Sequence, residues 1–107
     1  LPKSNVVAID LSVHSAAKLI KELAECSERV FFSKHAKKRM IERDITRVQI
    51  LRCLKTGIIS EGPAKSVKGN WEITVSGISA GNSINVVTAL DKDSNGDYAL
   101  IVTAYFE

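Results

Sequence analysis

Cysteine is scarce in this chain: Cys26 and Cys53 stand alone, far apart and outside any C-x-x-C spacing. That excludes a disulfide framework and a zinc motif, and leaves both thiols to be read as small buried apolar residues. No apolar run approaches the ~20 residues a membrane helix needs, and the opening Leu1-Pro2-Lys3-Ser4 lacks the charged-then-apolar layout of an export signal. The expectation is a cytoplasmic protein with no membrane partner. The first residue is not Met, which leaves the true N-terminus open. Repeats, low-complexity tracts and an interdomain linker are also missing. The 107 residues, 45% of them hydrophobic, fit one globular domain with a modest core.

Net charge is only +3, yet it is unevenly spread. Arg29, Lys34, Lys37, Lys38, Arg39, Arg43, Arg47, Arg52 and Lys55 crowd one segment, opposed there by Glu28, Glu42 and Asp44. If these cations share a face they make the footprint of a polyanion binder. Charge alone leaves equally open the ordinary solvated faces of two helices.

Ser12 can cap a first helix whose Ala16, Leu19, Ile20, Leu23 and Ala24 recur at helical spacing as far as Cys26-Ser27. His14, in its first turn, is read as structural or exposed. The earlier run Val6-Val7-Ala8-Ile9 is too short to assign. Ser33 caps a second helix reaching about Arg43, Asp44-Ile45 breaks it, and Thr46 with Gln49 forms a capping box for a third helix that Gly57 ends. After Gly57 the pattern alternates. Ile58-Ile59-Ser60 is a short strand before the breaker Glu61-Gly62-Pro63, and Trp71–Ser76, Ile84–Leu90 and Tyr98–Tyr105 read as three more strands. The last is apolar enough to be central. Helices followed by strands predict an α+β domain with an antiparallel sheet packed on the helices. Trp71 reads as core. Asp91–Asp97 imitates the start of a calcium loop, but Val102 stands where a bidentate Glu is required, so a hairpin turn using Asn95-Gly96 is expected instead. Neither a metal nor any other cofactor is expected.

At about 100° per residue, His35, Arg39 and Glu42 share an arc of roughly 60° on the second helix, bordered by Lys38 and Arg43. Histidine exchanges a proton near neutral pH and arginine grips phosphate through two N–H groups. Cutting RNA through its own 2′-hydroxyl needs a base, an acid and cations around the phosphorane, and no metal. Spacing equally permits a plain reading, in which Lys38–Glu42 and Arg39–Glu42 are surface ion pairs. Thr103 and Tyr105, two apart on the last strand, share a face and become partners for His35 and Arg39 if that strand runs beside the helix. A rival reading uses 33–43 and 46–56 as a helix-turn-helix, with Arg47, Gln49 and Arg52 set to read a major groove. A third makes the domain an inactive fold that only binds a protein partner.

Lys34-His35-Ala36-x-x-Arg39-Met40-x-Glu42-Arg43-Asp44-Ile45-Thr46, then Leu54-x-x-Gly57-x-Ile59, Gly69-Asn70-Trp71 and Ile101-Val102-Thr103-Ala104-Tyr105 together resemble a bacterial domain-of-unknown-function family with an H-A-x-x-R-M-x-E-R-x-I core. The resemblance covers about Phe31 to Tyr105. That family is grouped with RelE/ParE-type toxins and the wider barnase-like ribonuclease fold. It implies helices followed by a curved antiparallel sheet, RNA as substrate for metal-independent cleavage, and an antitoxin protein as partner. The positions it carries over are His35, Arg39, Arg43, Thr103 and Tyr105 as catalytic; Lys34, Lys38, Arg47 and Arg52 are read from the basic segment itself as the residues that would lie along nucleic acid. Many RelE proteins end in a lysine-rich tail where this chain ends at Phe106-Glu107, a departure that weighs against ribosome-dependent cleavage. Substrate sequence and oligomeric state are not legible.

Overall fold

The computed structural model describes residues 11–107. The run Val6–Ile9 lies outside the described residues. Helix α1 is Val13–Glu25, capped by the Ser12 hydroxyl, which accepts from the Ser15 N–H at 3.0 Å. Its stripe of Ala16, Ile20, Leu23 and Ala24 is buried, while His14 is exposed. A single 3-10 turn, Ser27–Arg29, leads into strand β1, Val30–Phe32. Helix α2, Lys34–Arg43, starts at the Ser33 cap, and helix α3, Arg47–Thr56, starts at Thr46 with both halves of the capping box formed. Between them Asp44 takes the left-handed conformation, φ 55°, so that its N–H and that of Ile45 reach back to the Met40 carbonyl. A short polar side chain tolerates that conformation best after glycine.

Four strands follow: β2, Ile58–Lys65; β3, Trp71–Ser79; β4, Asn82–Asp93; and β5, Gly96–Phe106. The sheet order is β1-β5-β4-β3-β2, with β5 interior. It is an open, curved sheet, and it is mixed: β1 lies parallel to β5, pairing Val30 with Ala99 and Phe32 with Ile101. The antiparallel expectation holds for the other three pairings. Three residues cannot display a period, so β1 reads as a lead-in to Ser33. Strand β2 also outruns its expected end. It continues through Glu61-Gly62-Pro63 by slipping register twice against β3, which an edge strand permits because its outer N–H groups need no partner.

Most of the buried apolar side chains form one cluster between α1, α2 and α3 and the inward face of the sheet, with Ile20, Ile50, Leu54, Ile73, Ile84 and Ile101 among its largest members. Cys53 belongs to it, and burial pushes its thiol up to about 11. Cys26 departs from the expectation. It caps α1 in an exposed position, and its thiol, beside the Glu28 carboxylate, is raised by that contact.

Thr88 is fully buried between Ile73 and Ile101 in the register, and its Oγ1 has no hydrogen-bond partner among the described residues. A hydroxyl dehydrated without compensation costs about 1–3 kcal/mol. Thr88→Val is therefore expected to stabilise the fold by about 1–2 kcal/mol, read as a higher urea midpoint at unchanged slope.

Candidate active site at helix α2 and strand β5

Strict alternation along β5 would send Ala99, Ile101, Thr103 and Tyr105 to one face. The observed pattern differs: Ala99, Ile101 and Ala104 are buried, and Phe106 packs on the core. The cause is a β-bulge. Val87 pairs with Thr103 and Thr88 with Ile101, so Val102 is left over and the alternation reverses there. Thr103 and Tyr105 are thereby turned to the face opposite the core, which carries no helix among the described residues. Both are half-buried.

Beyond Ile101 the outer edge of β5 has no strand beside it among the described residues, and α2 takes that place. The Ser33 hydroxyl donates to the Val102 carbonyl at 3.2 Å, and the Arg43 guanidinium donates to the Ala104 carbonyl at 2.8 Å and to Thr103 Oγ1 at 3.5 Å. Edge carbonyls that would otherwise need water are satisfied from both ends of the helix. Arg43 thus joins the two halves expected to form a site, and one of its nitrogens is spent in doing so.

Arg39 lies one turn earlier and donates to Glu42 Oε1 at 2.7 Å. That hydrogen bond, helped by the positive charge, holds the Glu42 carboxyl below its ordinary range. The plain i,i+3 pair foreseen from spacing is therefore formed, and it commits the Arg39 guanidinium to Glu42 at a half-exposed position. His35 is exposed and, among the described residues, has no side-chain hydrogen bond; Tyr105 likewise has none. Lys34 and Lys38 are exposed on the same helix. The structure brings Arg43 and Thr103 together directly, sets α2 along β5, and leaves His35, Arg39 and Tyr105 unlinked by any hydrogen bond. A hollow of about 180 Å³ lies elsewhere, lined by Leu11, Leu19, Trp71, Leu90 and polar neighbours, with none of these residues on it.

On the Tyr105 face, a row of polar side chains escaped sequence reading. Ser60 Oγ lies 2.7 Å from Ser76 Oγ, Ser76 bonds Asn85 Oδ1, and Asn85 Nδ2 donates to Glu107 Oε1 at 2.8 Å. Asn85 is buried and pairs with Tyr105 in the register. Its signal was an asparagine inside the apolar run Ile84–Leu90, on the side of the strand opposite Ile84 and Val86.

The cations of α3 are partly committed. Arg47 rests over the Phe32 ring, 5.2 Å from its centre, and donates to the Ser27 carbonyl at 3.4 Å. Gln49 uses both ends of its amide, accepting from the Thr46 N–H at 2.7 Å and donating to Ser79 Oγ at 3.0 Å. Of the three groove readers foreseen, Arg52 alone is exposed without such a commitment among the described residues.

Arg29 proves to be an anchor. Its guanidinium donates to Asp93 Oδ1 at 2.7 Å and to the Gly96 and Asp97 carbonyls, and lies over the rings of Phe31 and Tyr98. The Asp91–Asp97 segment is the β4–β5 hairpin, with the tip at Ser94-Asn95 and the positive φ at Gly96 only, a correction to the Asn95-Gly96 turn. Asp93 accepts the Asn95 N–H at 2.8 Å; this bond first, and Arg29 second, hold its carboxyl below the usual carboxylate range. A depressed folded-state value gives stability that is present above the unfolded value and lost as pH falls through the folded one. The stability gap between wild type and Asp93→Asn is therefore expected to be present at neutral pH and to close below about pH 4, in urea titrations across that range.

Among the described residues, no helix is long and apolar enough to cross a membrane. Comparison with curated proteins and with solved structures finds no match. The family model Domain of unknown function (DUF4258) matches residues 32–106, from the end of β1 through the last residue of β5, and the chain belongs to that family.

Proposed function

We propose that this domain is a toxin-type, metal-independent endoribonuclease of the RelE/barnase-like group. The observation that carries the reading is the Arg43 contact with Thr103 and the Ala104 carbonyl, because it docks the histidine-bearing helix along the strand whose bulge turns Thr103 and Tyr105 outward. In this scheme His35 moves the proton between the 2′-hydroxyl and the leaving 5′-oxygen. Arg39 and the remaining N–H groups of Arg43 take the phosphate, and Tyr105 and Thr103 orient it by their hydroxyls. The 2′-oxygen attacks phosphorus, the bond to the 5′-oxygen breaks, and a 2′,3′-cyclic phosphate remains. Lys34, Lys38, Arg47 and Arg52 would follow the backbone on either side. Purified protein incubated with total RNA is expected to cut it with or without chelator; RNA left intact in both conditions removes the proposal.

A further inference from the structure

The sheet face that carries Thr103 and Tyr105 also carries an aromatic pair that the proposed chemistry does not use. Phe31 pairs with Leu100 in the register, between Val30 and Phe32, which turn to the core. It is 42% exposed, and it is the one aromatic among the large apolar side chains that stand open in the described residues. Its neighbours set it apart from the open aliphatic ones. The Tyr98 ring meets it at 72° with the centres 5.7 Å apart, and the Arg29 guanidinium lies 5.6 Å from its centre. Arg29 is itself held by Asp93 and by the Gly96 and Asp97 carbonyls. A ring braced in this way loses little further freedom when a second flat group stacks on it.

Position and charge choose the occupant. Three steps along β5 separate Leu100 from Thr103, about 10 Å, so the ring lies within a dinucleotide's reach of the phosphate position proposed at Thr103 and Arg43. The charge of Arg29 is answered by Asp93, and Asp91, which pairs with Tyr98, adds a carboxylate to the same face. A phosphate is repelled there, whereas a base offers its flat face to Phe31 and its amino group to a carboxylate. We propose that Phe31, braced by Tyr98 and Arg29, is a stacking platform for one base of a single-stranded RNA whose backbone passes Thr103 and Arg43. The choice of strand rests on the ribonuclease reading; the stacking is tested by binding alone.

The test uses a short fluorescein-labelled 2′-O-methyl RNA, which cannot be cut through its own 2′-oxygen, beside an abasic strand of the same length. The full chain is expected to bind the base-bearing strand at least about fivefold more tightly, the contribution of one stacked base. Phe31→Ala should lose at least about fivefold of that preference, with the salt dependence of binding unchanged because no charge is removed, and Phe31→Trp should keep it. Both variants should retain the wild-type circular dichroism spectrum, since the side chain stands outside the core. No binding of either strand, equal binding of both by wild type, a preference undiminished in Phe31→Ala, or a salt dependence that shifts with the substitution would overturn the inference. The two readings fail separately. Base-dependent binding by a protein that never cuts natural RNA removes the ribonuclease and leaves the platform, while cutting combined with indifference to Phe31→Ala does the reverse.

Discussion

Replacing Gly57 by alanine is expected to destabilise the domain by about 2–3 kcal/mol, a loss that lowers Tm by roughly 10–20 °C in a domain of this size. The usual account of a glycine ending a helix is the left-handed conformation, and it does not apply here: Gly57 has φ −80° and ψ −177°, extended backbone open to any residue. Space is the reason. A Cβ at this position would stand 2.5 Å from the Ser76 carbonyl oxygen, 2.6 Å from the Cys53 carbonyl oxygen and 3.0 Å from Val75 Cγ1. Two of those atoms are backbone, one in α3 and one in β3, so the helix and the sheet would have to separate. At Gly77, across the same contact, the nearest atom to a new Cβ is the Cys53 sulfur at 3.2 Å, which belongs to a side chain and can give. Gly77→Ala should therefore cost less than Gly57→Ala in parallel urea titrations. Equal losses would show that close approach of the helix end to β3 is not what requires glycine.

His35→Ala should reduce RNA cleavage by about 10²–10⁴-fold, the range for loss of a positioned proton-transfer group. His35 is exposed on α2 and unpaired among the described residues, so its removal leaves no buried polar group stranded and no cavity in the core. Stability should stay within about 0.5 kcal/mol of wild type, which separates a chemical loss from unfolding. Added imidazole should restore part of the rate to His35→Ala, since the alanine leaves room for it. Arg43→Ala is a different case. It removes a phosphate ligand and also frees the Ala104 carbonyl, so both rate and stability should fall.

The helical half of the molecule was legible because its signals are local. Ser12, Ser33 and Thr46 each cap the helix that spacing assigns to them, and Thr46 with Gln49 closes the capping box. The arc of His35, Arg39 and Glu42 was equally legible, since one helix fixes relative direction through residue spacing alone. The sheet was legible as strands but less so as geometry. Nothing in Ile101-Val102-Thr103-Ala104 announces the bulge, which arises from pairing with β4; a plain alternation would have put Thr103 and Tyr105 on the face of Ile101. Strand β1 was hidden by its length and by its partner, which follows about seventy residues later and pairs in parallel. The roles of Arg29 and Arg47 were concealed for the same reason. Both fall within the cation-rich segment 29–55, so they read as part of a basic run, while their actual partners are Asp93, Phe31, Tyr98 and Phe32. A charge run thus separates into anchors and free cations only when the fold brings its distant partners up to it.

The central claim, that helix α2 and strand β5 make one RNA-cleaving site, is tested most directly by end-group analysis of a short labelled RNA incubated with the protein in chelator. Wild type is predicted to leave a 2′,3′-cyclic phosphate, to spare the same strand carrying a 2′-deoxy nucleotide at the cut, and to lose activity on His35→Ala and on Tyr105→Phe alike. Intact RNA, or cutting that persists undiminished in His35→Ala, would contradict it.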